Sequence, residues 1–252
     1  MFKFKIVFTL VVAVFVLLSC KEDEPIVTKV GPVLKLILEP TVNSEPLTPE
    51  TKWYTNFSSD SFTVSKFNYY ISNIKLKKSD GSTYSVADSY HLIQHVEGIN
   101  TITLNNLPEG DFVSVDFLLG VDSLRNVSGS QTGDLDPSKN MFWDWNTGYI
   151  FYKLEGRFNT LTNTVKGDYA IHIGGYKGKD NCIQTCSFTL SKVLQLRNEK
   201  TSGVYFKVKV EEVFQNPKFI DFDYYYATLP NNNSKEISDN YRDMFLQYKV
   251  EN

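Results

Sequence analysis

Val204-Tyr205-Phe206-Lys207-Val208-Lys209-Val210-Glu211 alternates apolar and polar residues more cleanly than any other stretch of the chain. Period two marks a β-strand with one buried and one wet face. Working outward, the same signature recurs. Val113, Val115, Phe117 and Leu119 fall on one face, with Ser114 and Asp116 on the other. Val33–Leu38, Phe67–Leu76, Thr101–Leu104, Tyr149–Leu154, Tyr169–Ile173 and Ser187–Leu190 are further strand candidates. Asp80-Gly81 supplies a turn between Ile74–Lys77 and Ser82–Val86, which predicts a hairpin. One helix is expected late in the chain. Ser234 stands where an N-cap would, and Ile237, Tyr241, Met244 and Phe245 follow at helical spacing. Many short strands, regular turns and one late helix argue for an all-β fold: an antiparallel β-sandwich with long loops and a short C-terminal helix.

Composition agrees. The 252 residues are 42% hydrophobic and 22% charged, a globular balance that excludes a disordered chain. Phe 18 and Tyr 15 against Met 3 lean towards strand formers. The formal charge of −3 gives no electrostatic reason to bind nucleic acid.

The N-terminus carries an address. Met1–Lys5 is a short basic segment, and Ile6–Leu18 is an apolar run shorter than the roughly 20 residues that span a bilayer. It ends in Leu17-Leu18-Ser19-Cys20, which resembles the lipobox of bacterial lipoproteins. The expected division is a signal peptide over 1–19, a lipidated tether over 20–32 beginning at Cys20, and one domain over 33–252. Lys21-Glu22-Asp23-Glu24 resembles the acidic export tag of Bacteroidetes surface lipoproteins, and reads equally as a solvated charge run. The localisation this predicts is the outer membrane, with surface exposure open. With Cys20 assigned to the lipid, Cys182 and Cys186 remain. In an oxidising envelope they read first as a disulfide, with thiolate ligation of a metal as the alternative.

Signatures of catalysis are missing: there is no Walker loop, GxSxG, HExxH or CxxC. An enzyme is not the expectation. Two polar segments interrupt the strands, residues 122–146 and 176–185, and long loops on a β scaffold are where a site is built. Asp134, Asp136, Ser138 and Asn140 alternate oxygen donors, but lack the glycine and the closing acidic residue of a calcium loop. His91 and His95 lie four apart on strand-like sequence, too far apart to share an ion there. In Tyr169-Ala170-Ile171-His172-Ile173-Gly174, His172 takes one face with small neighbours, leaving room for a ligand. In Met141-Phe142-Trp143-Asp144-Trp145, extended backbone would put Met141, Trp143 and Trp145 on one face. Soft thioether, indole and imidazole suit copper, and the same aromatics also read as a plug on the end of the sandwich.

Several segments together resemble the MbnP-like family of bacterial envelope copper-binding proteins. They are Phe67–Leu76, Leu119-Gly120-Val121-Asp122-Ser123, Leu135-Asp136-Pro137, Met141–Tyr149, Lys153-Leu154-Glu155-Gly156, His172-Ile173-Gly174 and Asp239–Phe245. The resemblance implies a β-rich, non-catalytic copper binder that uses histidines and a kynurenine made from a tryptophan, here Trp143 or Trp145. It implies His172 as an imidazole ligand and leaves His91 as the second. It also implies a diheme peroxidase-like modifying enzyme or a copper importer as partner, besides the outer membrane itself. Asp122 and Glu155 match motif carboxylates and are expected to brace the long loop. The alternative reading is a cell-surface interaction module that holds a protein or glycan without metal.

Overall fold

A computed structural model describes residues 30–129, 131–144, 146–161, 165–228 and 232–252. The signal peptide, Cys20 and most of the tether lie outside these. The strands, in chain order, are β1 (Val33–Val42), β2 (Glu45–Pro46), β3 (Tyr54–Thr55), β4 (Ser61–Phe62), β5 (Lys66–Lys78), β6 (Thr83–Ser85), β7 (Tyr90–Gln94) and β8 (Thr101–Leu104). They continue as β9 (Gly110–Leu119), β10 (Phe142–Asp144), β11 (Gly148–Asn159), β12 (Lys166–Gly174), β13 (Gln184–Leu196), β14 (Thr201–Lys209), β15 (Ala227–Thr228) and β16 (Phe245–Glu251). Among the described residues two α-helices join them, α1 (Ser123–Val127) and α2 (Asn232–Tyr241).

Two sheets face each other. The smaller runs β16-β14-β1-β2, with β8 on β1, and the larger runs β13-β9-β5-β11-β12-β15. The segment with the cleanest alternation is β14, and Val204, Phe206 and Val208 are fully buried on its inner face. Phe117 of the larger sheet meets Phe206 and Phe245 of the smaller one edge-on, at centroid distances of 6.1 and 5.1 Å. Edge-to-face packing suits the ring quadrupoles and closes the core.

The fold is an all-β sandwich, as periodicity predicts. Two pairings depart from expectation: β1 with β14 and β12 with β15 run parallel. Strands so far apart in the chain need no hairpin, so nothing local imposes antiparallel order. The late helix starts before Ser234, which therefore sits inside its first turn rather than capping it. Ile237 and Tyr241 are buried as the spacing requires, while Phe245 begins β16.

His95 is a core residue of this frame. Its ring stacks on Phe67 at 4.7 Å. Nδ1–H donates to Asn100 Oδ1 at 2.6 Å, and Nε2 accepts from the Tyr69 hydroxyl at 2.9 Å. Burial holds its pKa down to about 3, against a smaller opposing pull from Asn100. His91 and His172 are lowered too, burial again being the largest cause. An unfolded chain binds these protons near pH 6.5 and the folded chain does not, so stability present above that pH is lost as pH falls. His95 alone contributes a slope of up to about 1.4 kcal/mol per pH unit below that point. Urea midpoints measured across pH 6.5 to 4.5 are expected to fall less steeply in His95→Gln, by about one proton's worth.

Candidate functional site

The β11–β12 ladder positions the site. Tyr169, Ile171 and Ile173 of β12 are buried towards the core. Ala170, His172 and Gly174 therefore face outward, because successive side chains alternate. Register sets His172 opposite Lys153 of β11, and Glu155 one outward position further along. His172 Nε2–H donates to Glu155 Oε1 at 2.7 Å. Burial lowers the imidazole's proton affinity, the Glu155 contact opposes this, and the Lys153 ammonium reinforces it.

Trp143 of β10 reaches the same face. A Cβ on Gly174 would lie 2.5 Å from Trp143 Cζ3 and 2.4 Å from the Tyr149 carbonyl oxygen. The benzo edge of the indole therefore rests on bare backbone, a place only glycine allows. His172 and Gly174 are two residues apart on one strand face, a repeat of roughly 7 Å. Imidazole, carboxylate and indole thus converge on the outer face of β12. Beside them opens a cleft of ≈ 650 Å³ whose lining includes Glu155, Arg157, Asp168, Ala170 and Tyr226.

Described residues between 122 and 144 bond to β5, β7 and β11 beside this face. Asp122 caps α1 by accepting from Arg125 N at 3.1 Å. It also accepts from Asn73 Nδ2 at 2.8 Å and from the Tyr90 hydroxyl. Burial pushes the Asp122 carboxyl up, but these donors together win and hold it low. Asp122 thus ties the start of α1 to β5 and β7. Asn126, buried, donates to the carbonyls of Val121 and Asp122 at 2.7 and 2.9 Å and accepts from Tyr149 N at 2.9 Å. The Tyr70 hydroxyl donates to the Asp134 carbonyl, and the Tyr149 hydroxyl to that of Leu135. The Asp134 carboxylate accepts from Leu92 N, and that of Asp136 from Ser138 N. These side chains serve backbone amides rather than converge as calcium ligands.

Other expected residues fall elsewhere. The Glu155 carboxylate accepts from His172. Met141 is fully buried, with its own carbonyl accepting from Ile150 N. Trp145 lies outside the described residues. His91 is not brought to His172. Register aligns His172, Lys153, Asn68 and Gln94 in one row across β12, β11, β5 and β7. His91 is three residues from Gln94 and so on the opposite face, and three strand spacings alone are roughly 14 Å. Among the described residues no group of three or more His, Cys, Asp and Glu could hold a metal ion.

The disulfide expectation is corrected. Cys182 and Cys186 are free, buried thiols. The chain is extended where β13 begins at Gln184. Four residues of extended chain cover roughly 13 Å, about twice the Cα separation a disulfide tolerates. The Cys182 thiol donates to the Asp180 carbonyl and that of Cys186 to the Arg242 carbonyl. Burial pushes them up to about 11 and about 12, which keeps both protonated and disfavours thiolate ligation.

Lys153 and Asn126 were not legible as site residues. A lysine inside a buried strand was the available signal for the first; nothing local marks the second.

A family model for MbnP matches residues 31–234. Among solved structures, MbnP from Methylosinus trichosporium superposes with a TM-score of 0.52 at 13% identity, covering 75% of this chain and 79% of that one. At that identity the likeness is one of fold. A comparison with curated proteins finds no match. The family match spans most of the described sandwich, including the His172 face and the chain over it, and the chain belongs to the MbnP family.

Proposed function

We propose that this chain is a non-catalytic lipoprotein of the bacterial outer membrane that binds or handles copper on the outer face of β12. One observation carries the reading: His172, with Glu155 on its Nε2, stands two residues along the same strand face from Gly174, on which the Trp143 indole rests. A carboxylate on one ring nitrogen orients an imidazole and raises its basicity as a ligand, the arrangement that stands behind metal-ligating histidines. The residues do not fit a two-histidine site, because His91 occupies another face. The reading therefore rests on one imidazole, supported by Glu155 and the Trp143 hairpin. Kynurenine formed from Trp143 or Trp145 would add oxygen and nitrogen donors at the same place.

Titration with Cu(I) against a competing chelator tests this, using protein purified from its native envelope so that the state of the tryptophans is preserved. Tight binding in the wild type and a loss of about a hundredfold in His172→Ala are expected, as for removal of a direct ligand (~2.7 kcal/mol). No binding by wild-type protein would end the copper reading.

A second reading, as a docking module without metal, has one observation in its favour. Phe57 and Phe219 stack on each other at 4.7 Å while both stay largely exposed. Unmodified tryptophans in the native protein, together with absence of Cu(I) binding, would favour it.

A further inference from the structure

We infer that Lys153 is a positioning residue for the β12 site: its ammonium, set between His172 and an unpartnered amide oxygen of Asn68, holds the Trp143 hairpin in place. Lys153 is 7% exposed in the interior of β11, where an apolar side chain would be ordinary. A buried ammonium is tolerated only where acceptors meet it. Here Nζ donates to the Asn140 carbonyl at 2.5 Å.

That carbonyl is well placed to act as a handle. Asn140 has φ +58 and closes the turn Pro137–Lys139, with its own N–H bonded to the Pro137 carbonyl. From Asn140 the chain runs directly into buried Met141 and then β10, which carries Trp143 onto Gly174. Fixing Asn140 therefore sets where the indole rests. The contact joins the floor of the site to the chain that covers it, and the same side chain stands next to His172 in the ladder.

The other neighbour is unusual. Asn68 pairs with Lys153 across β5 and β11, which puts both side chains on one face with Cβ atoms about 5 Å apart. Asn68 is 2% exposed and its Oδ1 has no hydrogen-bond partner. A lone buried acceptor beside a buried ammonium is a rival seat for that ammonium. The neutral amide leaves Lys153 on Asn140; a carboxylate at the same position would draw it away.

That the hairpin serves copper rests on the function proposed above; that Lys153 holds the hairpin does not. Hydrogen exchange of the full chain, read by mass spectrometry without metal, separates the two. Lys153→Met and Asn68→Asp are each expected to speed exchange across residues 137–150 by about tenfold or more, the equivalent of one lost charge-assisted hydrogen bond. Protection in β1 and β14 should stay at wild-type levels. Lys153→Arg, which keeps a donor and the charge, should restore most of the protection. Wild-type exchange across 137–150 in a folded Lys153→Met or in Asn68→Asp overturns the assignment. If Lys153→Met fails to fold, Asn68→Asp decides, since it retains the lysine. Failure of wild-type protein to bind Cu(I) would remove the proposed function and leave the exchange result standing.

Discussion

Asn126→Ala is expected to lower the stability of the folded chain by about 3 kcal/mol or more, since a buried polar group left unpaired costs roughly 1–3 kcal/mol. The substitution strands two such groups at once, the carbonyl of Val121 and the amide of Tyr149, while the Asp122 carbonyl keeps the backbone N–H of residue 126 and loses only its second donor. Both lie where α1 docks against the start of β11. Gly148 is part of the same joint. It has φ +82, and a Cβ there would come within 2.2 Å of Asn126 Oδ1. The side chain is thus wedged into a space that only glycine leaves open, with little freedom to find other partners. Urea denaturation checks the magnitude. Hydrogen exchange should show the loss of protection concentrated between residues 121 and 150, with β1 and β14 least affected.

Gly156→Ala is expected to cost about 3 kcal/mol or more, beyond ordinary overpacking, because the clash is with backbone. Its Cβ would stand 2.0 Å from the Thr63 carbonyl oxygen and 2.9 Å from Tyr169 Cε1. That carbonyl accepts from the Tyr169 hydroxyl at 2.8 Å. Thr63 N donates to the Arg157 carbonyl and Ser65 N to the Glu155 carbonyl, so this segment is bonded to β11 on both sides of the clash. Making room means parting the segment from the strand that carries Glu155. Gly167→Ala is the matched control on the paired strand. Its nearest neighbour would be Phe158 Cε1 at 4.0 Å. There alanine should be neutral or stabilising by up to about 1 kcal/mol, through a less flexible unfolded chain. Thermal or urea melts of the two variants should therefore separate widely although both add one methyl group to a β-strand.

How much was legible in the residues can be judged on β12. Alternation in Tyr169–Gly174 put His172 and Gly174 on the face opposite Ile171 and Ile173, and the structure places them so. It also predicted which strand stretches exist and the β-sandwich class, because period two follows from the stereochemistry of one extended chain. The same reasoning could not find Lys153. In the sequence it is one lysine among many; burial beneath Asn140 makes it distinctive, and that burial comes from a chain segment folding back over the sheet.

Local stereochemistry thus determined the strands, their inward faces and the late helix, because each depends only on neighbours a few residues away. Motif order carried the MbnP resemblance. Tertiary structure alone decided which side chains meet. The sheet order β7-β5-β11-β12 separates His91 from His172, and extended chain at the start of β13 keeps Cys182 from Cys186. Strand partners are chosen across the whole chain by burial and hydrogen bonding, and no periodicity within one segment encodes that choice.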